Sequence, residues 1–241
     1  MNGQLDVVRR YLATRGPAGR PTRHNVVVVG GGKGGAGAST VAALIAWGAA
    51  ALGPTLLVDA GDDAGTLRML LGLPELPGLE ALRGAATGPL DLRAPLAPDL
   101  WFTGATAADA PLGGAEQRAL YRRLAATYGE YALVVVDAGS TLQSIAAACD
   151  AGAARFLAVT AEDRISAAAT FALVKVLAER QPELAVDIVV NRGSGPSTAY
   201  EAVRAAAARF LQRIVALAGT IPEDAALARA AHAGDGVAAM A

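Results

Sequence analysis

Five short runs in this chain are apolar at consecutive positions rather than alternate ones: VVVV (26–29), TLLVD (55–59), LVVVD (133–137), FLAVT (156–160) and DIVVN (187–191). A strand with that pattern is buried on both faces, which happens in parallel sheets covered by helices on either side. Between the runs lie segments with helical periodicity, from about Ser39 to Leu52 and near 115–127, 140–150, 163–179 and 197–212. A last short strand is expected around Ile214–Ala218, before a turn at Ile221-Pro222. Strands that alternate with helices predict an α/β fold: a doubly wound, mostly parallel sheet with helices on both faces and ligands at the strands' carboxyl ends. Composition agrees. Hydrophobic residues make up 53% of the chain but aromatics only 5%, which suits alanine-rich helices on a valine-rich sheet. A length of 241 residues gives one such domain a well-buried sheet. The proline- and glycine-rich stretch from Pro74 to Pro111 is expected to contain excursions from the core.

Residues 2–14 read as a short amphipathic helix with Leu5, Val8 and Leu12 on one side, and 15–24 as a linker. The expected division is therefore 1–24, helix and linker, and 25–241, the α/β domain. The opening MNGQLDVVRRYL lacks the apolar core of a signal peptide. Val41 to Val58 is long and apolar enough to raise the question of a membrane span, but Gly53-Pro54 interrupts it. A buried helix, a turn and a buried strand are the expectation there. The net charge is −1 with no block of like charges, so there is no strong nucleic-acid signal. Cys149 is the only cysteine, which excludes an intrachain disulfide and fits a reducing, cytoplasmic setting. It reads as a small buried residue. The tail from Ala231 to Ala241 lacks the cationic, bulky apolar face of a membrane-surface helix. No autonomous membrane anchor is expected, and recruitment to a pole or membrane would need a partner. His24 and His232 pair with no visible nucleophile, and no metal-ligand spacing appears.

The segment Gly30-Gly31-Gly32-Lys33-Gly34-Gly35-Ala36-Gly37-Ala38-Ser39-Thr40 leaves a buried strand and enters an apolar helix. Glycines there let the backbone approach a ligand closely, and successive N–H groups can surround phosphate oxygens at the positive end of the helix. Ser39 stands where a phosphate-loop hydroxyl coordinates Mg²⁺. The usual lysine just before that hydroxyl is replaced by Ala38; a cation stands earlier, at Lys33.

GKGGAGAST resembles the deviant Walker A motif of the MinD/ParA ATPases, K-G-G-x-G-K-[ST]-[ST]. The resemblance runs from about Asn25 to the end of the chain. It implies ATP or ADP with Mg²⁺ as cofactors. Gly32, Gly34, Gly35, Gly37, Ala38, Ser39 and Thr40 would surround the nucleotide, and Ser39, Asp59 and Asp137 would hold the metal. Lys33 matches the signature lysine, which reaches a partner's nucleotide in sandwich dimers; it is the one catalytic candidate and implies a nucleotide-linked homodimer. Leu57-Val58-Asp59 resembles the family's D-x-D switch, with Gly61 in the second acidic position; Asp62 or Asp63 could substitute only with a shifted loop. Val134 to Asp137, followed by Ala138-Gly139-Ser140, resembles the Walker B strand. Asn191 resembles the strand-end asparagine that reads adenine, and Pro222 lies in a segment like the terminal G-x-I-P-x-D. Each position has a plainer reading too: an aspartate at a strand end also caps the next helix, and an asparagine there also serves a turn.

A charge-assisted hydrogen bond contributes roughly 1.5–3 kcal/mol, so losing the loop lysine weakens binding about ten- to a hundredfold without abolishing it. Phosphoryl transfer depends more steeply on placed charge. With Ala38 and Gly61 in place of two helpers, hydrolysis is expected to be very slow or absent. Within the family, Thr66 to Leu73, Asp137-Ala138-Gly139-Ser140 and Ala161-Glu162-Asp163-Arg164-Ile165-Ser166 resemble the FlhG/FleN regulators of flagellar number. The rival resemblance is to the TadZ/CpaE localisation factors of pilus and secretion machines, which often carry K-G-G-x-G-A-S-T. Both imply protein partners in a flagellar or pilus assembly system. Two other classes remain open: a pseudo-ATPase interaction module that binds no nucleotide, and an enzyme on the same scaffold.

Overall fold

The computed structural model describes residues 25–61, 65–74, 78–83, 88–104, 114–227 and 229. Their eight strands form one sheet: β1 (Val26–Gly31), β2 (Thr55–Asp59), β3 (Ala94–Ala97), β4 (Leu100–Gly104), β5 (Leu133–Asp137), β6 (Arg155–Ala161), β7 (Ala185–Asn191) and β8 (Ala216–Ile221). The spatial order is β3-β4-β2-β5-β1-β6-β7-β8. Every pairing is parallel except β3 with β4. The helices are α1 (Ala38–Ala50), α2 (Thr66–Leu70), α3 (Gly114–Ala125), α4 (Leu142–Asp150), α5 (Arg164–Arg180) and α6 (Thr198–Ala206).

The consecutive apolar runs serve two cores at once. Along β1, Val26 and Val28 face one layer with Ile145 of α4, Leu173 and Leu177 of α5 and Val203 of α6. Val27 and Val29 face the other layer with Val41, Leu44 and Ile45 of α1 and Leu67 of α2. Leu56/Leu57 on β2 and Val134/Val135 on β5 divide in the same way. Successive side chains of a strand point to opposite faces, so a sheet covered on both needs apolar residues at every position. Side-chain caps fix where three helices begin: Thr141, Asp163 and Ser197 accept from the backbone N–H of Ser144, Ser166 and Tyr200.

The apolar stretch from Val41 to Val58 is a buried helix, a turn and a central strand. No helix among the described residues is long and apolar enough to cross a membrane. Cys149 is buried in α4, and burial pushes its thiol up to about 12. Three expectations need correction. The stretch from Pro74 to Pro111 is more than an excursion, because it supplies β3 and β4, and β4 lies against β2 with Leu100 and Phe102 fully buried. The last strand is Ala216–Ile221 rather than 214–218, because its pairing with β7 runs from Ala216 opposite Asp187 to Ile221 opposite Asn191. The helix expected over 197–212 is α6 followed by a π-turn at Ala207–Leu211, which ends on Gln212 with φ 53°. The helix at 2–14, the linker at 15–24, Asp62, Asp63, His24, His232 and the tail from Ala231 all lie outside the described residues.

Candidate functional site

The glycine-rich loop joins β1 to α1 at the carboxyl edge of the sheet, beside its centre. Its entry is held by Gly31, whose N–H donates to the Gly139 carbonyl at 2.9 Å. The exit is the first turn of α1, where the Val41 N–H donates to the Gly37 carbonyl at 3.0 Å. Gly37 has a φ of 91°, a left-handed conformation, and a Cβ there would lie 2.1 Å from Asn191 Nδ2. Gly32 runs against α5, where a Cβ would lie 2.4 Å from the backbone carbonyl carbon of Ala169. Gly32 has no room for a side chain, and at Gly37 a side chain would be strained and would displace the Asn191 amide. No side chain caps the start of α1, and its first turn contains no acidic residue. The leading N–H groups of a helix have no partner within it, and the helix dipole is positive there, so Ala38, Ser39 and Thr40 present an anion-binding turn.

On one flank of the loop stand two carboxylates. Asp59 and Asp137 end adjacent strands in register, at 3% and 1% exposure. Asp137 Oδ1 accepts from the Gly139 N–H at 3.1 Å, and Asp59 Oδ1 accepts from the Gly61 N–H at 3.3 Å. Asp59 Oδ2 is buried with no hydrogen-bond partner. Burial, and next the neighbouring Asp137, raise the Asp59 carboxyl to about 7, against the amides of Gly61, Leu67 and Arg68, which lower it. An orphaned buried carboxylate oxygen beside a second carboxylate fits a hard divalent cation, whose charge would relieve the repulsion. Among the described residues no cluster of three or more His, Cys, Asp or Glu side chains could hold a metal. Further ligands would be oxygens such as the Ser39 hydroxyl, phosphate or water. Gly104 ends β4 opposite Asp59, and a Cβ there would lie 2.4 Å from the Asp59 Cβ, so this glycine makes room for the carboxylate. At Gly61 a Cβ would meet nothing closer than 3.6 Å.

On the other flank is the carboxyl end of β7. Asn191 is buried, and its Nδ2 donates to the Ala36 carbonyl at 2.9 Å. Arg192 follows, and its Nη2 donates to the Gly35 carbonyl at 2.7 Å. The Gly193 N–H donates to the Ile221 carbonyl at 3.1 Å, which brings the exposed Pro222 to the same edge. Lys33 is exposed at the crest of the loop. The Asp163 carboxyl is held below its ordinary range by hydrogen bonds from the Ser166 hydroxyl and amide, with a smaller contribution from the Lys33 charge. Ala38 is buried, and Ser39 and Thr40 are half-buried in the first turn of α1.

The residues singled out in sequence thus gather along one edge. Two contributors, Gly104 and Arg192, were not singled out, and Glu162 was named only within the segment Ala161 to Ser166. Gly104 lies in the proline- and glycine-rich stretch, where nothing in the pattern marked a central strand. Arg192 directly follows the strand-end asparagine, and only its contact with the loop distinguishes it. Glu162 accepts from the Ser197 hydroxyl at 2.5 Å and the Thr198 N–H at 2.7 Å, tying the end of β6 to the start of α6.

The sheet order, the loop on α1 and the strand-end carboxylates define a P-loop α/β fold of the MinD/ParA kind. Solved structures with this fold include a ParA family ATPase from Chlorobium tepidum TLS, at a TM-score of 0.71 and 20% identity over 90% of this chain and 91% of that one. The septum site-determining protein MinD with Mg-ADP from Pyrococcus horikoshii OT3 matches at 0.68 and 20%, over 90% and 92% of the two chains. MinD in the MinC:MinD complex from Aquifex aeolicus matches at 0.67 and 21%, over 88% and 87%. At these identities the likeness is one of fold. No sequence-family model matches the chain, and no curated protein matches it.

Proposed function

We propose that this chain is a MinD/ParA-type nucleotide-binding protein that binds ATP or ADP with Mg²⁺ and hydrolyses ATP very slowly or not at all. The observation that carries the reading is the glycine loop itself, held open by Asn191 and Arg192 on one side and bordered by the buried Asp59–Asp137 pair on the other. Phosphates would lie on the amides of Gly34 to Thr40. The Ser39 hydroxyl, Asp59 and Asp137 would hold the magnesium, which supplies charge compensation for the phosphates. Asn191 and Pro222 stand beside the path of the base. Two features support weak hydrolysis. Ala38 offers no cation to the phosphates, and Gly61 offers no acid to orient water.

The biological role we infer is that of a spatial or numerical regulator of a polar machine, resembling the FlhG/FleN regulators of flagellar number. The TadZ/CpaE reading rests on one specific feature, alanine at the loop-lysine position. In either case the chain would work as a nucleotide-linked homodimer, with Lys33 reaching the second copy, and through protein partners, as MinD does with MinC in the complex cited above. Titration of the purified chain with ADP and ATP in the presence of Mg²⁺ tests the first step. Saturable binding that Ser39→Ala weakens is expected. No binding up to millimolar nucleotide would leave an interaction module on a P-loop scaffold. Steady-state turnover like that of an ordinary MinD/ParA ATPase would overturn the assignment of Ala38 and Gly61 as deficits.

A further inference from the structure

The two flanks of the loop divide the labour of binding a nucleotide. The Asp59–Asp137 side draws a cation and with it the terminal phosphates. The nucleoside half must then extend the other way, over the carboxyl ends of β7 and β8. Arg192 stands at those strand ends, directly after Asn191, and only one of its donors is used on the loop, at Gly35. Its φ is 58°, in the left-handed region that long side chains rarely adopt. Backbone strain of this kind collects at ligand sites, where the surroundings impose it. The imposing contacts are on either side: the Gly193 N–H donates to Ile221 at 3.1 Å, and Arg192 Nη2 donates to Gly35 at 2.7 Å. The residue is exposed, and no carboxylate among the described residues pairs with it. A Cβ built on Gly35 would meet nothing within 4 Å, so the loop is open at the residue whose carbonyl Arg192 holds.

A guanidinium has five donors and a planar face. One donor on Gly35 anchors it, and the face remains available to an aromatic ring. We propose that Arg192 is a binding residue for the nucleoside half of the ligand: anchored to the loop, its guanidinium stacks on the base of a nucleoside di- or triphosphate. Such a contact acts on the base by cation–π attraction and leaves the phosphates to the loop amides. A lysine has no plane to stack and would replace the arginine only in part.

The inference rests on the nucleotide-binding reading, and a pair of probes separates the two. ADP and inorganic tripolyphosphate, each with Mg²⁺, are titrated into the wild-type chain, Arg192→Ala and Arg192→Lys, with thermal melts confirming that all three are folded. Arg192→Ala is expected to bind ADP about tenfold more weakly, a change of roughly 1.4 kcal/mol, with tripolyphosphate affinity unchanged. Arg192→Lys should recover only part of the ADP affinity. Equal losses for ADP and tripolyphosphate would overturn the proposal, because Arg192 would then merely shape the loop. Unchanged ADP binding in Arg192→Ala, or full affinity in Arg192→Lys, would overturn it as well. A wild-type chain that binds neither probe would instead bring down the nucleotide-binding reading, and this inference with it.

Discussion

Replacing Asp59 by Asn should stabilise the ligand-free protein at pH 8 and leave it almost unchanged at pH 4. Asp59 sits at 3% exposure with Oδ2 unpartnered and Asp137 beside it on the next strand. Its carboxyl is raised from an ordinary 3.8 to about 7 in the fold. Between those values the folded chain holds a proton that the unfolded chain has released, so stability falls as pH rises through this window. The contribution is fully present below about pH 4 and fully lost above the folded value of about 7. Three pKa units at 1.36 kcal/mol each amount to roughly 4 kcal/mol, a large share of a total stability of about 5–15 kcal/mol. Asparagine keeps an acceptor for the Gly61 N–H and turns a donor toward Asp137, without charge at any pH. Urea unfolding of both proteins from pH 4 to pH 8 measures the difference; titrating groups away from residue 59 and its neighbour Asp137 are common to both and cancel. The midpoint of the variant should pull ahead of wild type as pH rises, by more than about 1 M at pH 8 for a slope of 2–3 kcal/mol per M. Parallel pH profiles would refute the reasoning, and so would a variant less stable than wild type at pH 8. Mg²⁺ gives a second check, since it should raise the wild-type midpoint at pH 8 and leave that of the variant nearly unmoved.

Gly37→Ala should lose about 3 kcal/mol in the same assay, because φ 91° disfavours alanine by about 1–2 kcal/mol and the new Cβ, 2.1 Å from Asn191 Nδ2, breaks a buried hydrogen bond worth about 1–3. A loss below about 1 kcal/mol would mean that the loop shifts freely despite the Asn191–Ala36 and Arg192–Gly35 hydrogen bonds. Gln212→Gly should stabilise by about 0.5–1 kcal/mol, since Gln212 is exposed and left-handed at φ 53° after the π-turn; an unchanged or lower melting temperature would count against it. Ala38→Lys combined with Gly61→Asp should raise ATP turnover at least about tenfold, in line with the loss of charge at two places. Gly61 accepts a Cβ at ordinary contact distance, 3.6 Å from the Gly139 backbone. Turnover no higher in the folded pair than in wild type would overturn the reading of Ala38 and Gly61 as deficits.

The strand calendar of the central sheet was legible because burial on both faces demands valine and leucine at every position, and no other element writes that pattern so compactly. The loop was legible for a related reason. Gly32 and Gly37 stand where backbone and Asn191 leave no room for a Cβ, and such positions show in a sequence as glycines. Strand-end aspartates could be named but not paired: Asp59 and Asp137 are far apart in the chain and become neighbours only through the β2–β5 register. The same holds for Asn191, whose bond to Ala36 spans 155 positions, and for Arg192, whose left-handed φ and hold on Gly35 leave no trace in residue type. β4 escaped notice because LWFTG is a short run framed by prolines and glycines, and its place beside β2 is a choice of sheet order. Local composition thus determined which segments are strands, helices and glycine-rich turn, since propensity and burial act residue by residue. The tertiary structure alone decided which strand ends meet at one edge, because register and strand order are set by packing between segments distant in sequence. That meeting raises the Asp59 carboxyl, opens the loop between its two flanks and brings an arginine to its rim.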